Sequence, residues 1–229
     1  MRVAFILVAA GAGQRLGSPV PKAFVDLTGK SLLLRSLEAL QAEPRVSACA
    51  VVVPAELRHE AESQVQAIRR PGLVLDIVAG GAERQDSVAA GLESLSECDV
   101  VVIHDAARAL VQPALVSACI DAAAQHGAAT AAIPVTDTVK EIDSEGAVVR
   151  TLDRSRLCLV QTPQAFRREI IVAAHERARR EGLRATDDAA LVEACGGVVW
   201  TVAGDPTNLK VTTPADLDWA RWLLAGGPR

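Results

Sequence analysis

Five short, almost wholly apolar runs divide the first 135 residues: Val3–Ala9, Val46–Val53, Leu73–Ala79, Val100–Ile103 and Ala128–Val135. Runs this short, apolar at successive positions, suit strands covered on both faces, as in a parallel sheet. Between them lie segments with helical spacing, Leu32–Ala42, Ala55–Arg69, Arg84–Leu95 and Pro113–Gln125. Pro113 suits the first position of its helix, and Gly127 the end of it. The alternation predicts a Rossmann-like, doubly wound, mostly parallel α/β sheet.

The pattern changes after Pro134. Thr138–Ile142 and Ala147–Thr151 flank Asp143-Ser144-Glu145-Gly146, a turn sequence, and predict a hairpin arm at about 137–155. So small a hairpin buries little by itself, which makes a partner subunit one cover for it and a surface flap the other. Regular structure returns as a short strand at Leu157–Val160, a helix at Arg167–Glu181, a helix at Ala189–Ala194 capped by Thr186-Asp187-Asp188, a strand at Val198–Val202 and a final helix at Pro214–Leu224. No linker or repeat interrupts the 229 residues, so one domain is expected over 1–229.

Composition excludes several classes. The net charge of −4 argues against nucleic acid or an anionic membrane as partner. No apolar run approaches the ~20 residues that span a bilayer. Met1-Arg2 and the apolar run after it only faintly resemble a signal peptide, and the run is expected to be the first buried strand. The five cysteines form no C-x-x-C pair and suit free thiols in a reducing compartment, hence the cytoplasm. The four histidines show no metal-ligand spacing.

The chemistry gathers where strands end. The first strand runs into Ala9-Ala10-Gly11-Ala12-Gly13-Gln14-Arg15 and on to Pro21-Lys22. Small residues let the backbone lie against a ligand, and successive exposed N–H groups can cradle phosphate oxygens. Arg15 and Lys22 add a planar fork and a movable point charge. The loop is not a Walker A motif, because no Gly-Lys-Ser/Thr follows. It is not a G-x-G-x-x-G fingerprint either, since Leu16 takes the third position. The third strand delivers Gly80-Gly81, with Arg84 and Ser87 at a helix start, suited to a base or ribose. The fourth delivers His104-Asp105-Ala106-Ala107-Arg108. There Asp105 suits Mg²⁺, a hard cation that prefers oxygen, and His104 suits a packed, hydrogen-bonded role rather than that of a base. The last strand delivers Asp205 and Lys210, one of only four lysines in a chain with 20 arginines. Taken singly, each feature has a structural explanation as a turn, a cap or a surface residue. Together they place glycines, two carboxylates and several cations at one sheet edge, as nucleotidyl transfer by positioning and charge neutralisation requires.

These motifs resemble the 2-C-methyl-D-erythritol 4-phosphate cytidylyltransferase family. Ala9–Lys22 is similar to its A-A-G-x-G-x-R loop ending in P-K, Val102–Arg108 to its H-D-A-A-R signature, and Gly80–Val88 to its G-G-x-x-R-x-x-S-V segment. Asp137-Thr138, Asp153-Arg154, Gln161-Thr162-Pro163-Gln164, Thr186-Asp187-Asp188 and Asn208–Thr212 follow in the family's order. Ala23 and Ala109 depart from it, where the family often has Gln and Pro. The resemblance implies a homodimer, CTP, a divalent cation and a polyol phosphate acceptor. It implies that Arg15 and Lys22 stabilise the pentavalent phosphorus and the leaving pyrophosphate. It implies that Ala9, Ala10, Gly11, Ala12, Gly13, Gly80, Gly81, Arg84, Ser87, Asp105 and Ala106 hold the nucleotide. Lys210 and Arg154, the latter from the partner's arm, then position the acceptor among Asp105, Arg108, Thr138, Thr162, Thr186 and Asp205. The chain is not expected to hold the cyclodiphosphate synthase domain fused to some relatives. The rival readings are a ribitol-5-phosphate cytidylyltransferase, a Rossmann oxidoreductase using Glu56 as its ribose-binding acid, and a non-catalytic nucleotide-binding regulator.

Overall fold

A computed structural model describes residues 1–11, 16–17 and 20–227. Strand β1 (Val3–Val8) is followed by α1 (Leu32–Gln41), β2 (Val46–Val53), α2 (Arg58–Gln66), β3 (Val74–Ala79), α3 (Arg84–Ser94), β4 (Val100–Asp105), α4 (Pro113–His126) and β5 (Ala128–Pro134). Strands β6 (Lys140–Ile142) and β7 (Val148–Thr151) form the arm. The chain then continues through β8 (Cys158–Arg167), α5 (Arg168–Glu181), α6 (Asp188–Ala194), β9 (Trp200–Ala203) and α7 (Pro214–Leu224).

The described residues form a seven-stranded sheet in the order β3-β2-β1-β4-β8-β5-β9, with β8 antiparallel to both neighbours and the other pairs parallel. Alternation along β1 builds two cores. Val3, Phe5 and Leu7 face Leu33, Leu37 and Leu40 of α1 and Val116 and Ile120 of α4. Ala4 and Ile6 face Val88 and Leu92 of α3, Ile171 and Ala174 of α5, and Leu191 of α6. Both faces are covered, which is why these strands carry continuous apolar runs. Helix α7 closes a third cluster, placing Leu217, Ala220 and Leu223 against Leu110 and Val211.

The strand order reverses between β1 and β4. In an open α/β sheet the crevice beyond the carboxyl ends at such a point is where ligands bind. The antiparallel β8 begins at the sheet edge where its neighbours end.

The structure corrects the expected short strand at Leu157–Val160: β8 runs on to Arg167. Pro163 hid the continuation, because proline cannot donate to a ladder and interrupts a strand pattern. It is accommodated where the β5–β8 register shifts between Thr130 and Ala132, after a cis Thr162–Pro163 bond. The segment expected as one helix over Ala55–Arg69 begins with a tight 3-10 turn at Ala55–Leu57 and becomes α-helical at Arg58.

The hairpin arm is present. Asp143 accepts from the N–H groups of Glu145 and Ala147 at 3.0 and 2.9 Å, and Gly146 supplies the positive φ (+90°) that the turn needs. Every residue of β6 and β7 is exposed.

Candidate active site

The β1/β4 crevice holds a cleft of about 270 Å³, lined by Ala9, Ala10, Gly11 and Lys22 from the first loop, Gly81, Arg84 and Ser87 from the second, and Asp105, Ala106 and Lys210. Residues singled out along 200 positions of sequence therefore meet in one cavity. Arg15, Ala12 and Gly13 lie outside the described residues.

Two loops form the walls by close backbone approach. Ala9 N–H donates to Val52 O and Gly80 N–H to Val53 O, both at 2.8 Å, so the strand ladder carries each loop past the sheet edge. A Cβ on Gly80 would stand 2.4 Å from Ala10 Cβ and 2.9 Å from Ser87 Oγ, so only glycine lets the loops meet. The Ser87 hydroxyl accepts from Gly81 N–H and donates to Glu83 O, each at 3.1 Å, and so fixes the second loop.

Asp105 is the hub. Its Oδ1 accepts from Arg84 Nε at 3.1 Å and its Oδ2 from Lys210 Nζ at 2.6 Å. Burial alone would raise its pKa, but the charges of Arg84 and Lys210 outweigh it and hold the carboxyl well below the usual range. Asp105 is therefore a fixed anion that draws two cations from distant segments onto the cleft wall.

A polar network supports this hub from beneath. The Asp105 N–H donates to Thr162 Oγ1, and that hydroxyl donates to His104 Nδ1, both at 3.1 Å. With Nδ1 accepting, Nε2 carries the hydrogen and donates to Arg108 O at 3.2 Å. Burial pushes the His104 pKa down to about 4, so the ring is neutral near pH 7, and it has the expected packed role. The Arg108 guanidinium donates to Asn208 O at 2.7 Å, tying β4 to the last loop. The side-chain nitrogen of the fully buried Asn208 donates to Thr162 O at 2.9 Å and to Gln161 Oε1 at 3.2 Å.

The remaining sequence candidates are distributed around the cleft. Thr162 is buried, with its hydroxyl committed to the network. The Asp205 carboxylate turns onto its own loop, accepting from the N–H and hydroxyl of Thr207 at 2.7 and 2.8 Å. Thr138, Arg154 and Thr186 are exposed and stand outside the cleft lining, with Arg154 donating to Thr136 O at the base of the arm. Asp188, taken from sequence as part of a helix cap, is buried and accepts from Arg84 Nη1 at 2.6 Å. A capping T-D-D signal does not reveal which Asp turns inward.

Among the described residues, no group of three or more His, Cys, Asp or Glu side chains could hold a metal. The cleft does present the ionised Asp105. Its two oxygens already accept from Arg84 and Lys210, so this single carboxylate suits only a Mg²⁺ ion that takes its other ligands from waters and substrate phosphates.

Comparison with known proteins shows the family. The family model described as "IspD: 2-C-methyl-D-erythritol 4-phosphate cytidylyltransferase" matches residues 3–225. The chain is 46% identical over 227 residues to the 2-C-methyl-D-erythritol 4-phosphate cytidylyltransferase of Pelotomaculum thermopropionicum, covering 97% of this chain and 94% of that one. It is 45% identical to the bifunctional enzyme IspD/IspF of Desulforudis audaxviator, covering 97% of this chain and 57% of that protein. The crystal structure of the 2-C-methyl-D-erythritol 4-phosphate cytidylyltransferase from Thermus thermophilus superposes with a TM-score of 0.79 at 37% identity, over 98% of this chain and 100% of that one. With a family model matching residues 3–225 and a relative 46% identical over 97% of the chain, the chain belongs to the 2-C-methyl-D-erythritol 4-phosphate cytidylyltransferase family.

Proposed function

We propose that this protein transfers CMP from CTP to 2-C-methyl-D-erythritol 4-phosphate in isoprenoid precursor synthesis. The observation that carries this is the cleft at the β1/β4 switch point, where Lys22 shares the lining with the ionised Asp105 and with Arg84 and Lys210, which hold it. A phosphate oxygen of the acceptor attacks the α-phosphorus of CTP in line. The new P–O bond forms as the bond from the α-phosphorus to the α,β-bridging oxygen breaks, and pyrophosphate leaves with that electron pair. Lys22 and Arg15 stabilise the charge that develops on the phosphoryl oxygens. Lys210, held by Asp105, and Arg154 orient the acceptor phosphate, and the Gly80–Gly81 loop with Ser87 seats the cytidine. Asp105 is the residue that would hold, directly or through water, a Mg²⁺ ion carried on the triphosphate, and such an ion would supply neutralisation of phosphate charge.

The active form is a homodimer joined through the arm. Ile142, Val148 and Val149 are 58–60% exposed there, and Leu159 at the start of β8 is 55% exposed, an apolar strip that a second copy would cover. The protein works in the cytoplasm, in keeping with free Cys49, Cys98, Cys119, Cys158 and Cys195. No helix among the described residues is long and apolar enough to cross a membrane.

The test is pyrophosphate release from CTP against a panel of polyol phosphates, with and without EDTA. Release with methylerythritol phosphate, abolished by EDTA, is expected. Release with ribitol phosphate alone would reassign the acceptor, and release with no acceptor in the panel would remove the enzymatic reading.

A further inference from the structure

Arg84 is gripped by two acids from different parts of the chain. Its Nε donates to Asp105 at 3.1 Å and its Nη1 to Asp188 at 2.6 Å. Asp188 opens α6, far from the cleft-forming loops in sequence, and its side chain is 2% exposed. Its own position is fixed. Gln164 Oε1 accepts from the N–H groups of Asp188 and Ala189, both at 3.2 Å, and His175 Nε2 lies 3.3 Å from the second carboxylate oxygen. A line of alternating groups thus runs His175, Asp188, Arg84, Asp105, Lys210, from the helical layer to the cleft.

An arginine side chain has many rotamers, and one carboxylate contact leaves most of them open. A second, buried contact on a different nitrogen fixes the plane of the fork. Arg84 Nη2 is buried without an acceptor, a cost the guanidinium bears only because the two carboxylates hold it there.

We infer that Asp188 is a positioning residue for the active site: it pins Arg84 onto Asp105, and through Asp105 it sets where the Lys210 ammonium stands. The inference rests on the cytidylyltransfer reading for its kinetic consequence but not for its geometry. Without Asp188, Arg84 turns freely, Asp105 keeps Lys210 as its sole fixed partner, and the two cations no longer hold their spacing.

The test uses Asp188→Asn, Arg84→Ala, Arg84→Lys and the two double variants. Asp188→Asn is expected to lower kcat/KM by about ten- to hundredfold, the scale for partners that orient a functional group from behind. Arg84→Lys keeps the charge but loses the fork, and should fall by a similar factor. Adding Asp188→Asn to either Arg84 variant should cost nothing more. A further loss in those double variants would mark Asp188 as merely structural and overturn the inference, as would wild-type kinetics in Asp188→Asn. If Asp188→Asn does not fold, Arg84→Lys with wild-type activity overturns it. A second readout is independent of turnover: the Arg84 Nε–H resonance, assigned by its loss in Arg84→Lys, should exchange slowly with solvent in wild type and rapidly in Asp188→Asn. Slow exchange in both would overturn the inference. An inactive wild type would remove the cytidylyltransfer reading and leave this exchange measurement to decide the role of Asp188.

Discussion

Lys210 Nζ lies 2.6 Å from Asp105 Oδ2, although the two residues are 105 positions apart in the chain. The contact brings the loop after the last strand onto the tip of β4, and Arg84 on the other carboxylate oxygen completes the clamp. Removing a buried charge between two cations is expensive, because each cation keeps its desolvation cost and loses its partner. Asp105→Asn should therefore destabilise the fold by about 2–3 kcal/mol, somewhat less than the ~3–5 kcal/mol of a fully buried pair because the Lys210 side chain is 41% exposed. Urea unfolding of the variant checks this, and an unchanged midpoint would mean the three groups are not coupled.

Lys22 and Arg84 both line the cleft. If its charge meets oxygens whose charge grows only in the transition state, its loss should fall on kcat more than on KM. Lys22→Ala should lower kcat by roughly two orders of magnitude or more, the scale of a lost electrostatic stabiliser. Steady-state kinetics with CTP varied reads it; a raised KM at constant kcat would limit Lys22 to ground-state binding.

Gly80→Ala tests the contact between the two loops. The new methyl would stand 2.4 Å from Ala10 Cβ, so one loop must move away from the other. We expect kcat/KM for CTP to fall at least tenfold, about 1.4 kcal/mol, with far-UV circular dichroism unchanged. Wild-type kinetics would mean the loops tolerate separation and do not define the nucleotide seat.

Much of this was legible in the sequence, for physical reasons that differ by element. β1, β2 and β4 are buried on both faces, so their apolar runs stood out, while the loops after β1 and β3 carried glycines and the loop after β4 the H-D-A-A-R run in recognisable order. The extent of β8 was hidden by Pro163. The burial of Asp188 and Asn208 was hidden too, because hydrogen-bond partners come from segments such as Gln164, Gln161 and Thr162 that only the fold brings near. Thr162 could be placed near the site from its motif, but not its commitment to Asp105 and His104, which depends on β8 running antiparallel beside β4.

Away from the cleft, Glu43 contributes to acid stability. Its carboxylate accepts from Arg45 Nε at 2.7 Å and from the Ser117 hydroxyl at 2.5 Å, and pairing with Arg45 draws its pKa down from the ordinary 4.5 to about 2. A depressed folded-state pKa means that the unfolded chain takes up the proton first. The stabilisation is complete above about pH 4.5 and drains away as the pH falls towards 2. Denaturant midpoints between pH 6 and pH 2.5 should fall less steeply for Glu43→Gln than for wild type. Parallel curves would show that other carboxylates carry the acid transition.

The arm carries the dimer proposal, and mixed subunits test it. Lys22→Ala and Arg154→Ala homodimers should each be nearly inactive. If Arg154 serves the neighbouring subunit, a heterodimer of the two variants gathers both lesions in one site and leaves the other intact, so mixing restores activity. If it serves its own subunit, every site carries a lesion. No recovery, with heterodimers confirmed by mass, would place Arg154 in its own subunit's site.

On this reading the cleft joins CMP to the phosphate of a polyol rather than merely binding or hydrolysing CTP. Phosphorus-31 NMR of the enzyme with CTP, Mg²⁺ and methylerythritol phosphate tests it most directly. The acceptor's monophosphate resonance should disappear, and two coupled diphosphate-diester resonances should appear together with free pyrophosphate. Formation of CMP with the acceptor resonance intact, or an unchanged CTP spectrum, would contradict it.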